Sequence, residues 1–202
     1  MMQLMSLPLS EPVPTNHEAT GELSDQVNKS QRKQDPGRDA ITNLLKFLLS
    51  EFRKTREIAE QAVNQMPAQD LTWRPSVRGN SVSMLMRHLG GNLHSRFTDF
   101  LTTDGEKPER NRDSEFLNDV NDKETTLTKW KIGWERLEKT LDMIGHADVN
   151  RIVTIRGEPY TVLQALLRAM THTSYHVGQI VDIARERAPK WKTLSMPRSA
   201  AK

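Results

Sequence analysis

From residue 39 onward the apolar positions recur at helical spacing. Ile41, Leu44, Leu45, Leu48, Phe52, Ile58 or Ala59, Ala62 and Met66 predict a first helix over about 39–65. Pro67, Pro75 and Gly79-Asn80 break that pattern. Asn80 or Ser81 then offers an N-cap for a second helix over about 81–102, stopped by Thr102-Thr103-Asp104-Gly105. Leu127, Trp130, Trp134, Leu137, Leu141 and Ile144 alternate steps of three and four and predict a third helix that Gly145 ends. Ile152-Val153-Thr154-Ile155-Arg156-Gly157 is rich in β-branched residues and predicts a short strand without a partner in the chain. Thr161 caps a fourth helix of about 161–187, closed before Pro189.

Four amphipathic helices and no convincing sheet make the fold class all-α, a four-helix bundle. The connection 102–122 holds seven acids, three bases, one Pro and one Gly. Its length suits a path along the bundle better than a tight hairpin, and the directions of the helices are left open at this point. Residues 1–38 contain no aromatic residue, four prolines and mixed charge. They cannot bury enough apolar surface to offset their ordering entropy and are expected to be a disordered extension. The bundle is expected over 39–188, followed by a weakly ordered tail over 189–202.

Composition narrows the chemistry. There is no cysteine among the 202 residues, which excludes disulfides, thiolate metal sites, Fe–S clusters and a protein thiol nucleophile. Lys+Arg 29 against Asp+Glu 26 leaves +3. That excess is too small and too dispersed for a nucleic-acid footprint, and no nucleic-acid partner is expected despite a pI near 9.2. No apolar run reaches the roughly 18–20 residues of a membrane span. No membrane partner is therefore expected, and a cytoplasmic location is.

Any metal must be held by histidine, carboxylate or backbone. The chain has six histidines. His17 falls in the leader, and His146 follows a helix stop. With Leu85 at zero and about 100° per residue, Leu89, Leu93, Val82, Phe100 and Met86 define an apolar arc between about +40° and +100°. His94 lies near 180° with Ser83, Arg87 and Thr98, on the face expected to be wet. His88 falls near −60°, on a row with Met84, Asn92, Ser95 and Asp99 that is unusually polar for a core-facing stripe. In the fourth helix His172 and His176 sit in an apolar row with Val162, Ala165, Ala169, Ile180 and Ile183.

The i, i+4 spacing of His172 and His176 stacks their imidazoles on one face, and His88 from a facing helix would complete a three-nitrogen site. Such a site leaves a coordination position open for water or substrate, and neutral imidazole suits Zn, Ni, Cu or Fe. A lone His-x-x-x-His is weak evidence, since many such pairs are surface histidines. Burial changes the balance, because three unpaired buried imidazoles are costly. Trp130 and Trp134 read as core. No zincin His-Glu-x-x-His, no helical Glu-x-x-His, no P-loop and no dinucleotide fingerprint is present. Gly90-Gly91 reads as a place where a helix or a ligand comes close.

Several stretches, Arg87-His88-Leu89-Gly90-Gly91-Asn92-Leu93, Ser95 through Pro108, Arg110-Asn111-Arg112-Asp113, Ile155-Arg156-Gly157-Glu158 and Ser174-Tyr175-His176-Val177-Gly178-Gln179-Ile180, closely resemble an uncharacterised branch of the DinB/YfiT-like superfamily over residues 39–188. Glu109 stands where that pattern has an aromatic. The resemblance implies a four-helix bundle, a homodimer, and one divalent ion on His88, His172 and His176, with Zn or Ni foremost. It also implies a metal-dependent enzyme, in particular a transferase using a low-molecular-weight thiol, with a small-molecule substrate. Asn92, Ser95 and Asp99 are the candidates to support the ligands or touch substrate. Arg96, Arg110 and Arg112 could meet substrate carboxylates, although ion pairs with the acids of the 102–122 connection are the plainer reading. The alternative function is a non-catalytic, metal-stabilised bundle used in binding or dimerisation.

Overall fold

The computed structural model describes residues 35–117 and 123–194. Four α-helices occur among them: α1 (Pro36–Val63), α2 (Val82–Phe97), α3 (Lys123–Met143) and α4 (Val162–Arg187). A two-stranded hairpin, β1 (Ile152–Ile155) with β2 (Glu158–Thr161), precedes α4, and short 3₁₀ turns occupy Ala68–Thr72 and Asp113–Phe116. The chain divides into two compact units, Met1–Asp39 and Ala40–Lys202. Of the first, residues 35–39 are described. There the Asp35 carboxylate accepts from the Gly37 amide at 3.0 Å and the Arg38 amide at 3.4 Å, opening the first turn of α1. The expected disordered leader, with His17, lies outside the described residues apart from residues 35–38. The same holds for 195–202.

The second unit holds the bundle. Ser81 caps α2 by accepting from the Met84 amide at 3.2 Å. Thr161 and Gln164 cap α4 reciprocally, at 3.1 and 2.8 Å. Phe52, Leu85, Leu89, Leu93, Trp134, Leu137, Leu166 and Ile180 are buried in a common core, and Trp130 stacks edge-on against Trp134 at 5.2 Å.

Side-chain contacts fix the helix directions. Ser83 meets Thr126, and the Phe97 carbonyl accepts from Thr140, so α2 and α3 run parallel. Glu60 meets Trp130 while Arg56 meets Glu138, so α1 opposes α3. Two parallel consecutive helices need a connection that travels back along the bundle. A helix of 16 residues is about 24 Å long at 1.5 Å per residue, which is why the segment between α2 and α3 is long. Where they cross, a Cβ on Gly90 would strike the Lys129 carbonyl and one on Gly133 would strike the Gly90 carbonyl. The two glycines therefore let the helix backbones touch.

Three sequence expectations are corrected. The β-branched segment does have a partner: Ile152 pairs with Thr161 and Ile155 with Glu158 in antiparallel register. The reversal uses Arg156 (φ 57°) and Gly157 (φ 78°), the positive angles of a two-residue hairpin turn. The fold is thus mainly rather than wholly helical. Helix α2 ends at Phe97 and not near 102. Thr98 turns back its amide and hydroxyl to the His94 carbonyl, and Asp99 enters the left-handed region at φ 44°. Finally, the arc of α2 expected to be wet is largely covered: 14 of its 16 residues are buried. Ser83 bonds Thr126, and Arg87 reaches the carbonyls of Ser114 and Leu117 from the returning connection. His94 is exposed as expected.

Of the segment expected as a weak C-terminal tail, residues 189–194 are described. Gln65 exchanges two hydrogen bonds with the Lys192 backbone, and Trp191 and Leu194 pack against the core. No helix among the described residues is long and apolar enough to cross a membrane.

Candidate metal centre

Helix α4 opposes α2, and this brings their histidines together. The ligand atoms of His88, His172 and His176 lie within 4.8 Å of one another. Nε2 of His88 stands 3.2 Å from Nε2 of His172. Two nitrogens at 2.0–2.1 Å from a tetrahedral zinc would be roughly 3.3 Å apart, so this pair already has the spacing of two ligands. The three rings meet edge to face, with centroids 4.7–5.2 Å apart.

Hydrogen bonds on the far side of two rings select the tautomer that a metal needs. His88 Nδ1–H donates to Glu115 Oε2 at 2.9 Å, and a carboxylate can only accept. Nε2 of His88 is then left with its lone pair facing the other rings. His176 Nδ1 makes the same kind of bond to Gln179 Oε1 at 2.8 Å. Metal-binding histidines ordinarily carry such a partner on the other nitrogen.

The electrostatics keep protons off the two rings of α4. Burial drives the His172 pKa down to about 3, and the neighbouring imidazoles, Arg96 and Arg110 push the same way. Burial also lowers His176, against the opposing pull of its bond to Gln179. Burial works to raise Glu115, but the bonds from His88 and Arg110 outweigh it and hold the carboxylate below its ordinary value. Two imidazoles held neutral, together with a third backed by a charged carboxylate, form a donor set that fits a divalent ion.

Glu115 was not legible as a site residue. It arrives on the returning connection, 27 positions after His88. Arg110 grips it with two bonds, Nε to Oε1 at 2.9 Å and Nη2 to Oε2 at 2.8 Å. Arg110 also reaches Glu106, which meets Arg156 of the hairpin at 3.1 Å. A chain of ion pairs thus runs from the hairpin turn to the back of His88. Gly91 provides the space, since a Cβ there would occupy the Glu115 carboxylate.

The other predicted residues separate. Asn92 is buried on the wall of a cavity of about 850 Å³ that the three histidines also line. Its amide makes no hydrogen bond among the described residues. Ser95 is buried beneath the connection: its hydroxyl donates to the Gly105 carbonyl and accepts from the Lys107 amide. It pins the loop rather than facing the cavity. Asp99 is exposed and lines a smaller, separate pocket with Phe97, Phe100 and Met143, because the helix that would have carried it inward has already ended. Arg110 is the structural ion pair that the plainer reading anticipated, and Arg112 lies near Asp113 at 3.7 Å and over the Phe116 ring.

Fold and site together define a mainly helical protein whose cavity is lined by a three-histidine group able to hold a metal ion. A family model described as "Protein of unknown function (DUF1572)" matches residues 39–200, and the chain belongs to that family. No curated protein matches it.

Proposed function

We propose that the protein is a metal-dependent enzyme of the DinB/YfiT-like kind, with one divalent ion, Zn or Ni, held by His88, His172 and His176. The observation that carries this reading is the convergence of three imidazoles on the wall of a cavity large enough for a small molecule. A purely structural ion needs no such opening beside it. When bound, the ion lowers the pKa of a coordinated thiol or water and so supplies a nucleophile near neutral pH.

The chain's own residues do the rest. Glu115 and Gln179 orient two of the imidazoles. Phe116 packs on the His88 ring at 4.7 Å and shields it. Asn92 offers a free amide to a ligand in the cavity. The chain has no cysteine, so the sulfur of a transferase reaction comes from a small thiol cosubstrate, as in the resembling superfamily. The same resemblance supports a homodimer.

Elemental analysis of the purified full chain beside a His172→Ala/His176→Ala variant tests the metal. One equivalent in the wild type and none in the variant is expected. Metal-loaded protein is then offered small thiols with a panel of electrophiles. Turnover that vanishes in His88→Ala supports the enzyme. Metal-dependent stability with no saturable thiol binding would instead favour the non-catalytic bundle.

A further inference from the structure

The cavity wall carries a charge imbalance that metal binding does not explain. Five of its lining residues are arginines (96, 110, 112, 156 and 168), and none of the described lining residues is Asp or Glu. Arg110 and Arg156 are engaged by carboxylates of the connection, Arg112 lies by Asp113, and Arg168 lies over the Tyr160 ring at 5.6 Å.

Arg96 differs from the other four. It is only 8% exposed, yet it makes no hydrogen bond or ion pair among the described residues. Its stem lies against Gly105, where a Cβ would come within 2.8 Å of its Cδ. The carboxylate that attracts it most, Glu106, is already bound by Arg110 and Arg156. Its guanidinium head is not sealed off but opens onto the cavity that it lines, and a charge held there with little solvent and no carboxylate partner is costly to keep unless a ligand uses it.

The arginines and histidines are also ordered along the cavity. On α2, His88, Asn92 and Arg96 stand at successive turns. On the opposing α4, His176, His172 and Arg168 do the same. Two facing ladders therefore give the cavity a histidine end and an arginine end, separated by about 12 Å of helix axis from His88 to Arg96.

We propose that Arg96, backed by Arg168, seats the oxyanion group (a carboxylate or a phosphate) of a small-molecule substrate whose other end reaches the three histidines. The planar guanidinium fork matches either group in a two-point contact. The inference rests on reading this cavity as a substrate site, and it names the substrate class.

The test uses the full chain, both chelator-stripped and zinc-treated, titrated calorimetrically with inorganic phosphate and with succinate. Saturable binding of at least one probe is expected. Arg96→Gln should weaken it at least tenfold, Arg96→Lys less, and Arg168→Ala severalfold, with zinc content unchanged in all three. Arg168 is exposed, so its variant carries the comparison if Arg96→Gln does not fold. Equal affinity in wild type, Arg96→Lys and Arg168→Ala, or no saturable binding by either form of the wild type, overturns the proposal. Which probe binds more tightly tells carboxylate from phosphate. The His172→Ala/His176→Ala variant separates the two readings: it should lose zinc and keep Arg96-dependent anion binding. Wild type that takes up no zinc but binds the anion through Arg96 would remove the metal and leave the anion seat.

Discussion

Glu115 and His88 share a hydrogen bond of 2.9 Å that lies wholly inside the protein, with both side chains under 10% exposed. The bond settles which His88 nitrogen keeps its lone pair for the cavity. Glu115→Gln keeps the shape but removes the charge, and an amide oxygen is a weaker partner for the ring. Zinc affinity is expected to fall by about 10–100-fold, as for other supports of a metal-bound histidine. Competition against a chelator of known affinity measures it. Gly91→Ala should reproduce that loss without replacing any polar residue, because its Cβ displaces the carboxylate. Unchanged affinity in both variants would show that the carboxylate does not hold the ring.

Gly90 and Gly133 set how closely α2 approaches α3. At both positions a Cβ meets backbone of the other helix, which cannot swing aside as a side chain can. Gly90→Ala is therefore expected to cost at least the 1–3 kcal/mol, roughly, of an overpacked core site. Urea unfolding of the variant reads this directly. A midpoint equal to the wild type's would mean that the helices separate at little cost.

The same substitution should have opposite signs at two other glycines. Gly178 lies inside α4 with open space where a Cβ would go. Alanine there should stabilise by about 0.5–1 kcal/mol, because the unfolded chain loses freedom and the helix loses nothing. Gly157 also has open space, but its φ of 78° belongs to the left-handed region. Alanine there should destabilise by about 1–2 kcal/mol. Thermal unfolding of the two variants checks the contrast; shifts of one sign would mean that local backbone geometry is not what distinguishes them.

How far the sequence reached follows from the range of each cause. His88, His172 and His176 were legible because helical periodicity alone decides which way they face. So were the caps at Ser81 and Thr161, which depend on neighbours three residues away. Gln179 was within reach as well, three residues beyond His176, yet a glutamine at that spacing has no chemistry to single it out. Glu115 was not, because its role depends on where a long connection returns. Arg87 misled for the same reason: its position on the arc was right, but the returning chain covers that arc. The end of α2 turned on Asp99, whose left-handed φ no hydrophobic pattern reveals, and its early stop moved Asp99 out of the cluster. The hairpin was half visible. β2 reads Glu-Pro-Tyr-Thr, a short edge segment with little apolar alternation, so β1 looked unpartnered.

Asp104 ties the connection to the hairpin, and this tie should fail in acid. Its carboxylate accepts from the amides of Glu106, Arg156 and Gly157 at 2.7–2.8 Å. Two of these donors are the turn residues with positive φ. Slight burial acts to raise the Asp104 pKa, but the amides and the Thr154 hydroxyl prevail and bring it to about 2 from an ordinary 3.8. The native state thus favours the charged form. Its contribution to stability is complete above the unfolded value and disappears as pH falls through the folded one. The stability difference between wild type and Asp104→Asn should be constant at neutral pH, shrink below about pH 4 and be nearly gone by about pH 2. Urea midpoints at fixed ionic strength across that range give the curve. Because the carboxylate is largely solvated, the difference at neutral pH should be modest. A gap that stayed level or widened toward acid would mean that the turn is held by the strand pairing alone, and that Asp104 answers to some other part of the fold.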